Sequence, residues 1–192
     1  MRHRSKIERM PPLKDEDFGP EHAEAISRFD NWGPLVNVTR SWLRHPKSLE
    51  AYNSFTVALV GPGSELGRRE QELIFLRTAW KARAPYPFSR HKVDGVRAGL
   101  TEEEVEALKK PVEAHAWSAT DEAMILASDQ LLTNFTISDE VWPKLTAQLN
   151  ERAVIEVILA AGRYGILCML ANTCGVELEP DRPVDPDVLL IA

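Results

Sequence analysis

The sequence predicts a single all-α domain. Its apolar residues recur at the three- and four-residue spacing of amphipathic helices, and no segment shows the sustained alternation with β-branched residues that is typical of strands. A length of 192 residues suits one domain with a substantial core. We expect the helical domain at residues 21–180, an extended N-terminal arm at 1–20 and a C-terminal tail at 181–192.

Proline and glycine divide the first third of the chain into helices. These are predicted from Glu21 to Phe29, from Asn31 to Arg44 and from Lys47 to Val60, with Pro46 just before the third. The segment 61–64 is glycine-rich but lacks the Gly-Lys-Ser/Thr ending of a phosphate-binding loop, so we interpret it as a linker.

Helices also account for the rest of the chain. One is predicted at 66–82, and a second follows a proline-punctuated turn and extends to Gly99. Further helices are predicted from a capping box at Thr101 to Lys109, from Ser118 to about Thr133, from Ser138 onward, and from Glu151 to Thr173. Gly175 marks the end of the last helix.

Composition excludes several classes of function. The net charge of −6 and the pI near 5.4 argue against general nucleic-acid binding. No apolar run reaches the ~18 residues of a membrane span, and the basic N-terminus lacks the apolar region of a signal peptide, so we expect a cytoplasmic protein. Cys168 and Cys174 fit neither a redox pair nor a zinc spacing, and no metal or cofactor is expected.

Glu72 is the first candidate site residue because it lies among apolar neighbours. At 100° per residue around the helix axis, five apolar side chains lie between about −60° and +100° from Glu72, namely Leu73, Phe75, Leu76, Ala79 and Trp80. Arg77 and Thr78 are expected on the opposite side. A carboxylate on a core-facing stripe must find a partner or take up a proton, so Glu72 is either a structural carboxylate or a general acid or base held dry.

His91 is the second candidate, nineteen residues after Glu72. A position just after the proline-rich turn would place it near a helix N-terminus, where the helix dipole favours the neutral, proton-accepting imidazole. The alternative is a capping or core histidine. Phe88, Gly95 and Ala98 are expected on the same face, where the small residues let another helix approach closely.

Four nearby side chains complete the predicted site. Tyr86 is either a hydrogen-bond donor to a developing enolate oxygen or an aromatic plug. Arg90 is a candidate clamp for a carboxylate, and Trp80 and Phe88 are expected to form walls of the pocket. Glu156 and Arg163 share one face of the last helix, but their spacing is too long for a direct pair, so each is expected to meet another group. A salt bridge at a subunit interface is favoured over a catalytic role.

The motifs around this unit resemble a known family. They are LGRREQELIFLRTAW, the following Pro-Tyr and His, AGLTEEEV, and MLANTCGVELEP near the end. They look like the carboxymuconolactone decarboxylase and alkylhydroperoxidase D-like family, over residues from about 11 to 180. The resemblance implies an alkylhydroperoxidase D-like helical bundle that assembles as a homo-oligomer, either a dimer, a trimer or a hexamer.

The resemblance is to the thiol-less branch of that family. Members of the peroxidase branch carry a C-x-x-C pair between the glutamate and the histidine, but here Ala84 and Pro87 occupy the cysteine positions. In the branch similar to γ-carboxymuconolactone decarboxylases the turn commonly reads Tyr-Glu-Trp, and this chain has Tyr86-Pro87-Phe88. The resemblance implies a cofactor-free lyase or isomerase in which His91, oriented by Glu72, transfers a proton on a small oxygenated, anionic lactone or keto substrate.

Two alternatives remain open at this stage. One is a peroxiredoxin-type alkylhydroperoxidase, as the family label suggests, and the other is a non-catalytic, oligomeric protein that binds a small molecule. Convergence of Glu72 and His91 on one solvent-reachable cavity would favour an enzyme. Assembly is expected because the segments 32–43, 49–60 and 154–170 carry more apolar surface than a small domain readily hides, and because the arm needs a surface to lie on.

Overall fold

The computed structural model describes residues 7–27 and 35–191, and these contain helices and loops without a strand. The all-α prediction is confirmed. The helices are α1 (Pro20–Ser27), α2 (Asn37–Trp42), α3 (Pro46–Val60), α4 (Arg68–Lys81), α5 (Pro85–Arg97), α6 (Glu102–Ala107), α7 (Ala119–Asn134), α8 (Trp142–Thr146), α9 (Glu151–Cys174) and α10 (Pro186–Ile191). Short 3₁₀ turns occur at Asp15–Asp17 and Val112–Ala114.

Helix α4 is the centre of the bundle. It packs against α5, α7 and α9, and every residue from Gln71 to Ala79 is buried. Because neighbours surround it, the polar side of α4 expected from the sequence does not face solvent. Arg77 is buried and pairs with Asp129 of α7 at 2.6 Å, and Thr78 is also buried.

Side-chain caps set several helix starts where the sequence placed them. Thr101 and Glu104 form the predicted capping box of α6, and Ser118 accepts a hydrogen bond from the Asp121 N–H at the start of α7. Asn150 caps α9 in the same way. At the other end of α9, Gly175 has a φ of +70°, a conformation that favours glycine.

Four predicted boundaries were wrong or lie outside the described residues. The helix expected from Asn31 begins at Asn37, because Val36 has an extended backbone; the ends predicted at Phe29 and Asn31 are not among the described residues. Helix α4 starts at Arg68 rather than residue 66. The helix expected from Ser138 is reduced to α8, since a proline at position 143 fits only a first turn.

The described part of the N-terminal arm lies on its own chain. The N–H groups of Arg9 and Met10 donate to the carbonyl of Cys174 at 2.7 and 3.2 Å, and Arg44 donates to the carbonyl of Pro11. A Cβ at Gly175 would lie 2.3 Å from the Ile7 carbonyl oxygen, so the arm passes where only glycine leaves room. The surface that the arm requires is therefore supplied within the chain.

The C-terminal tail is also attached to the domain. Asp185 is buried, its N–H donates to the hydroxyl of Ser89, and its carboxylate accepts hydrogen bonds from Lys92 and Lys109. Val188 of α10 is part of the main core. These contacts fasten the tail to α5 and to the end of α6.

Helix α9 is long and apolar enough to cross a membrane by length and composition alone. Half of its most apolar stretch is buried inside the protein, and core helices of soluble proteins pass the same criterion. A cytoplasmic location stays a prediction.

Candidate active site

Glu72 and His91 meet where α5 crosses α4. His91 Nδ1 lies 2.6 Å from Glu72 Oε2. The helices approach closely because α5 has glycine at position 95. A Cβ on Gly95 would lie 2.9 Å from a methyl group of Leu76 and 3.8 Å from the Cβ of Glu72.

Glu72 is fully buried, but each of its two carboxylate oxygens has a partner. Arg68, one turn earlier on α4, donates to Oε1 at 2.5 Å, and His91 occupies the other oxygen. An ionised carboxylate only accepts hydrogen bonds, so opposite it Nδ1 of His91 is the donor, and in the neutral imidazole the lone pair is then on Nε2. Arg68 was missed in the sequence, although its i,i+4 spacing from Glu72 is the usual signal for such a pair.

His91 lies in the middle of α5, not near its N-terminus. The proline-rich turn is itself the first turn of the helix, which begins at Pro85, so the dipole argument made from the sequence was wrong. Aromatic packing orients the ring instead. It stands nearly perpendicular to Tyr164, at 4.9 Å between centroids, and to Phe75, at 5.6 Å.

The imidazole borders a cavity of about 280 Å³ between α3, α5 and α9. The His91 side chain keeps 22% of its exposure, so the cavity is reachable from solvent. The lining residues include Tyr52, Thr56, Arg68, Phe75, Pro87, Arg90, His91, Asp94, Arg163 and Tyr164. Phe75 and Tyr164 stack at 4.6 Å and form the aromatic wall.

Tyr86 and Arg90 line the same cavity but direct polar groups to Glu179. The Tyr86 hydroxyl donates to Glu179 at 3.0 Å and accepts from the Val38 N–H, while Arg90 pairs with the other carboxylate oxygen at 2.6 Å. Burial raises the pKa of Tyr86, so it keeps its proton. Since that one proton is donated to Glu179, we assign Tyr86 a positioning contact rather than donation to substrate.

Trp80 and Phe88 do not line the cavity that His91 borders, contrary to the expectation that they form its walls. Phe88 is fully buried in the core, and the ammonium of Lys109 lies 5.6 Å from its ring. Trp80 packs against Phe88 on the side of α4 that faces Leu126 of α7. Trp80 lies two turns beyond Glu72, where the helix has different neighbours.

Arg163 of α9 is a cavity residue that the sequence argument assigned elsewhere. As the spacing indicated, it does not pair with Glu156, which accepts hydrogen bonds from the N–H groups of Glu65 and Leu66 of its own chain. The Arg163 side chain is buried and donates from Nη1 to the hydroxyls of Tyr52 and Thr56 at 3.0 and 2.9 Å. An arginine within an otherwise apolar helix was the sequence signal available for it.

The two thiols are buried and unsuited to peroxide chemistry. Burial raises the pKa of Cys168, which disfavours the reactive thiolate, and Cys174 lies 3.6 Å from the sulfur of Met10. Ala84 occupies the N-cap position of α5 without a side-chain hydrogen bond, and Pro87 lines the cavity. Within residues 7–27 and 35–191, no cluster of three histidine, cysteine or acidic residues has the arrangement of a metal site.

Residues 46–129, from the start of α3 into α7, match the model of the carboxymuconolactone decarboxylase family. This match confirms the family resemblance drawn from the sequence. Membership of the thiol-less branch stays a prediction. No curated protein matches the sequence significantly.

Solved structures share the fold along nearly the whole chain. An uncharacterised peroxidase-related protein from Silicibacter sp. TM1040 superposes with a TM-score of 0.76 at 15% identity, covering 92% of this chain and 96% of the other. An alkylhydroperoxidase AhpD core protein from Ralstonia eutropha JMP134 gives 0.77 at 14% identity, with coverage of 90% and 93%. A cysteine-to-alanine variant of the debrominase Bmp8, in complex with 2,3,4-tribromopyrrole, gives 0.74 at 17% identity, with coverage of 89% and 91%. The chain therefore has an alkylhydroperoxidase D-like fold.

Proposed function

We propose that this chain, which carries a carboxymuconolactone decarboxylase-family segment, is a cofactor-free lyase or isomerase that transfers a proton on a small, oxygenated, anionic substrate. The observation that carries the proposal is the hydrogen bond between Glu72 and His91 at the edge of the cavity. A base oriented by a buried carboxylate is the arrangement that general acid–base catalysis requires.

The chemistry follows from the tautomer of His91. In an isomerisation, Nε2 takes a proton from the carbon next to a carbonyl, the electron pair moves onto the carbonyl oxygen, and the imidazolium returns the proton at another carbon. In a decarboxylation, the bond to the carboxylate breaks, carbon dioxide leaves, and protonated His91 supplies the proton to the resulting carbanion. In both cases Glu72 stabilises the imidazolium.

The cavity limits the substrate to a small ring or short chain. Its 280 Å³ is at the lower end of the range for ligand pockets, and its stacked aromatic wall suits a flat molecule. Bmp8 holds a tribromopyrrole within the same fold. A substrate panel should therefore contain small lactones and keto acids, with 2,3,4-tribromopyrrole as an additional member.

Proton transfer can be measured before the physiological substrate is known. The protein is incubated with each panel member in D₂O, and NMR follows deuterium incorporation, decarboxylation or ring opening. His91→Gln should lower the rate by about 10²–10⁴-fold, because a positioned base contributes on that scale. His115→Gln is the matched control, since His115 lies beside Trp117 in a different cavity. Equal rates in His91→Gln and the unmodified protein would contradict the proposal.

The same experiment distinguishes the binding-protein alternative, and the buried thiols argue against the peroxidase alternative. A binding protein would retain panel members without exchanging their protons. A peroxidase would require a thiolate, and the buried Cys168 with its raised pKa does not favour one.

We also propose that the chain forms a homo-oligomer through α9. Four large apolar side chains remain exposed along this helix, namely Ile155, Leu159, Ile166 and Met169. Their spacing places them on a common stripe, and Gly162 between them has open space around it. A contiguous apolar surface of this kind is typical of a protein interface.

A further inference from the structure

We propose that Arg163 is the anion-binding residue of the cavity, holding the carboxylate or enolate oxygen of the substrate while His91 transfers the proton. The assignment of an anion site stands on Arg163 itself; its part in catalysis rests on the function proposed above. Among the described residues, Arg163 is the buried cation of the cavity without a carboxylate partner, and Arg90 is held by Glu179.

Arg163 differs in this respect from the other arginines that pack into the domain. Arg68, Arg69, Arg77 and Arg90 each form a salt bridge with at least one carboxylate. Arg163 is only 5% exposed, donates to two neutral hydroxyls, and has no hydrogen-bond acceptor for its Nε. A buried guanidinium without a counter-charge is unfavourable unless a ligand supplies that charge.

The ionisable groups around Arg163 do not supply the missing charge. Burial raises the pKa of Tyr52 to about 12 despite the opposing effect of Arg163, and burial also raises the pKa of Tyr164 and Cys168. All three are neutral at physiological pH. The hydroxyl of Thr56 and the ring of Phe75, which also contact Arg163, carry no charge. Asp94 lines the same cavity from α5, but its carboxylate pairs with Arg97 at 3.6 Å.

The position of Arg163 suits an anion that also reaches His91. Its guanidinium carbon lies 4.8 Å from the centroid of the Phe75 ring, and the His91 ring lies 5.6 Å from the same centroid. Both residues line the one cavity. A small ring placed along the Phe75–Tyr164 wall can therefore present an oxygen to Arg163 and a carbon or oxygen to His91.

A neutral replacement of Arg163 should leave the fold intact. The Tyr52 hydroxyl donates to the backbone carbonyl of Arg163, and the Thr56 hydroxyl donates to the carbonyl of Tyr52. Both donors keep these partners in Arg163→Met, and the variant also removes a buried N–H that has no acceptor. Replacing a buried charge by an apolar side chain of similar volume is often neutral or stabilising. We expect Arg163→Met to unfold at a temperature no lower than the unmodified protein.

The test compares matched anionic and neutral probes. Isothermal titration calorimetry measures 2-furoate against 2-furamide and benzoate against benzamide. The unmodified protein should bind each carboxylate at least about tenfold more tightly than its amide, since hydrogen bonds to charged groups are the stronger ones. The difference should disappear in Arg163→Met and persist in Arg152→Met, whose replaced side chain is exposed on the same helix.

Further variants separate the possible failures. Arg163→Gln is a second neutral variant, should Arg163→Met not fold, and it should also lose the carboxylate preference. His91→Gln should keep that preference, so loss of catalysis and loss of anion binding can be told apart. A carboxylate preference that is absent in the unmodified protein, or that survives in both neutral variants at position 163, would overturn the assignment.

Discussion

Replacing Glu72 with glutamine should disable His91 without unfolding the protein, because the amide keeps the shape of the carboxylate but not both acceptors. The two oxygens of Glu72 receive hydrogen bonds from Arg68 and His91. Glutamine offers one oxygen and one NH₂ group. Its oxygen will face the permanently charged Arg68, so the NH₂ group must donate to Nδ1 of His91. The imidazole then carries its proton on Nε2 and has no lone pair toward the cavity.

General values from comparable systems bound both the catalytic and the stability effect. A tautomer reversal of this kind costs about 10⁴-fold in kcat in Ser-His-Asp hydrolases, which we take as the upper bound here. The free energy of unfolding should fall by roughly 1–3 kcal/mol, the usual cost of losing a buried charge-assisted hydrogen bond. The cost stays in this range because the Arg68 side chain is 52% exposed and can turn to water.

Two measurements check this prediction together. Proton exchange on the panel substrate reports activity, and ¹⁵N NMR of the imidazole reports which nitrogen carries the proton. Glu70→Gln is the matched control, because Glu70 lies on the same helix but about 200° around it from Glu72. Full activity in Glu72→Gln, or a proton that remains on Nδ1, would refute the reasoning.

Two further predictions concern the tail and the assembly. Burial alone would raise the pKa of Asp185, but Lys109 and Lys92 hold it below its usual value, so its stabilisation is present above pH ~4 and is lost as pH falls through the lowered pKa. Asp185→Asn should therefore lower the free energy of unfolding by roughly 1–3 kcal/mol at pH 7 and by progressively less below pH ~4, which denaturant titrations at each pH measure. A difference between variant and unmodified protein that stays the same at every pH would contradict this prediction. The double variant Ile166→Glu, Met169→Glu should scatter light as a 21.6 kDa monomer, whereas the unmodified protein should scatter as an oligomer. The control Phe135→Glu changes an exposed apolar residue outside α9 and should also be an oligomer. A monomeric unmodified protein would refute the assembly.

The sequence was sufficient for the fold wherever the determining interaction is local. Thr101 with Glu104 and Ser118 with Asp121 cap helices within one turn, and each start was predicted. Arg77 shows the limit of this reasoning. Its helical position suggested solvent, but Asp129, 52 residues away, and the carbonyl of Leu108 receive its guanidinium in the interior. Periodicity within one helix carries no information about such distant partners.

The candidate site was predictable in part for the same reason. Glu72 stood out because a carboxylate interrupts an apolar stripe, and His91 because its spacing from Glu72 matches a family motif. The role of Tyr86 could not be deduced, because its hydroxyl is occupied by Glu179 from the far end of the chain. Arg163 gave only the signal of a charge in an apolar helix, and its neighbours Tyr52 and Thr56 lie more than 100 residues earlier.

The electrostatic character of the cavity is opposite to that of the whole chain. The chain carries a net charge of −6, which taken alone would disfavour an anionic substrate. Inside the cavity, however, Arg68 is neutralised by Glu72 and Arg90 by Glu179, and the lining carboxylate Asp94 pairs with Arg97 at 3.6 Å. Arg163 is left with two neutral hydroxyls as its partners. Screening at physiological ionic strength limits surface charges to a range of about 8 Å, whereas a buried charge is screened much less. On the proposal made above, a preference for an anion is decided by this one guanidinium on α9 rather than by the net charge of the chain.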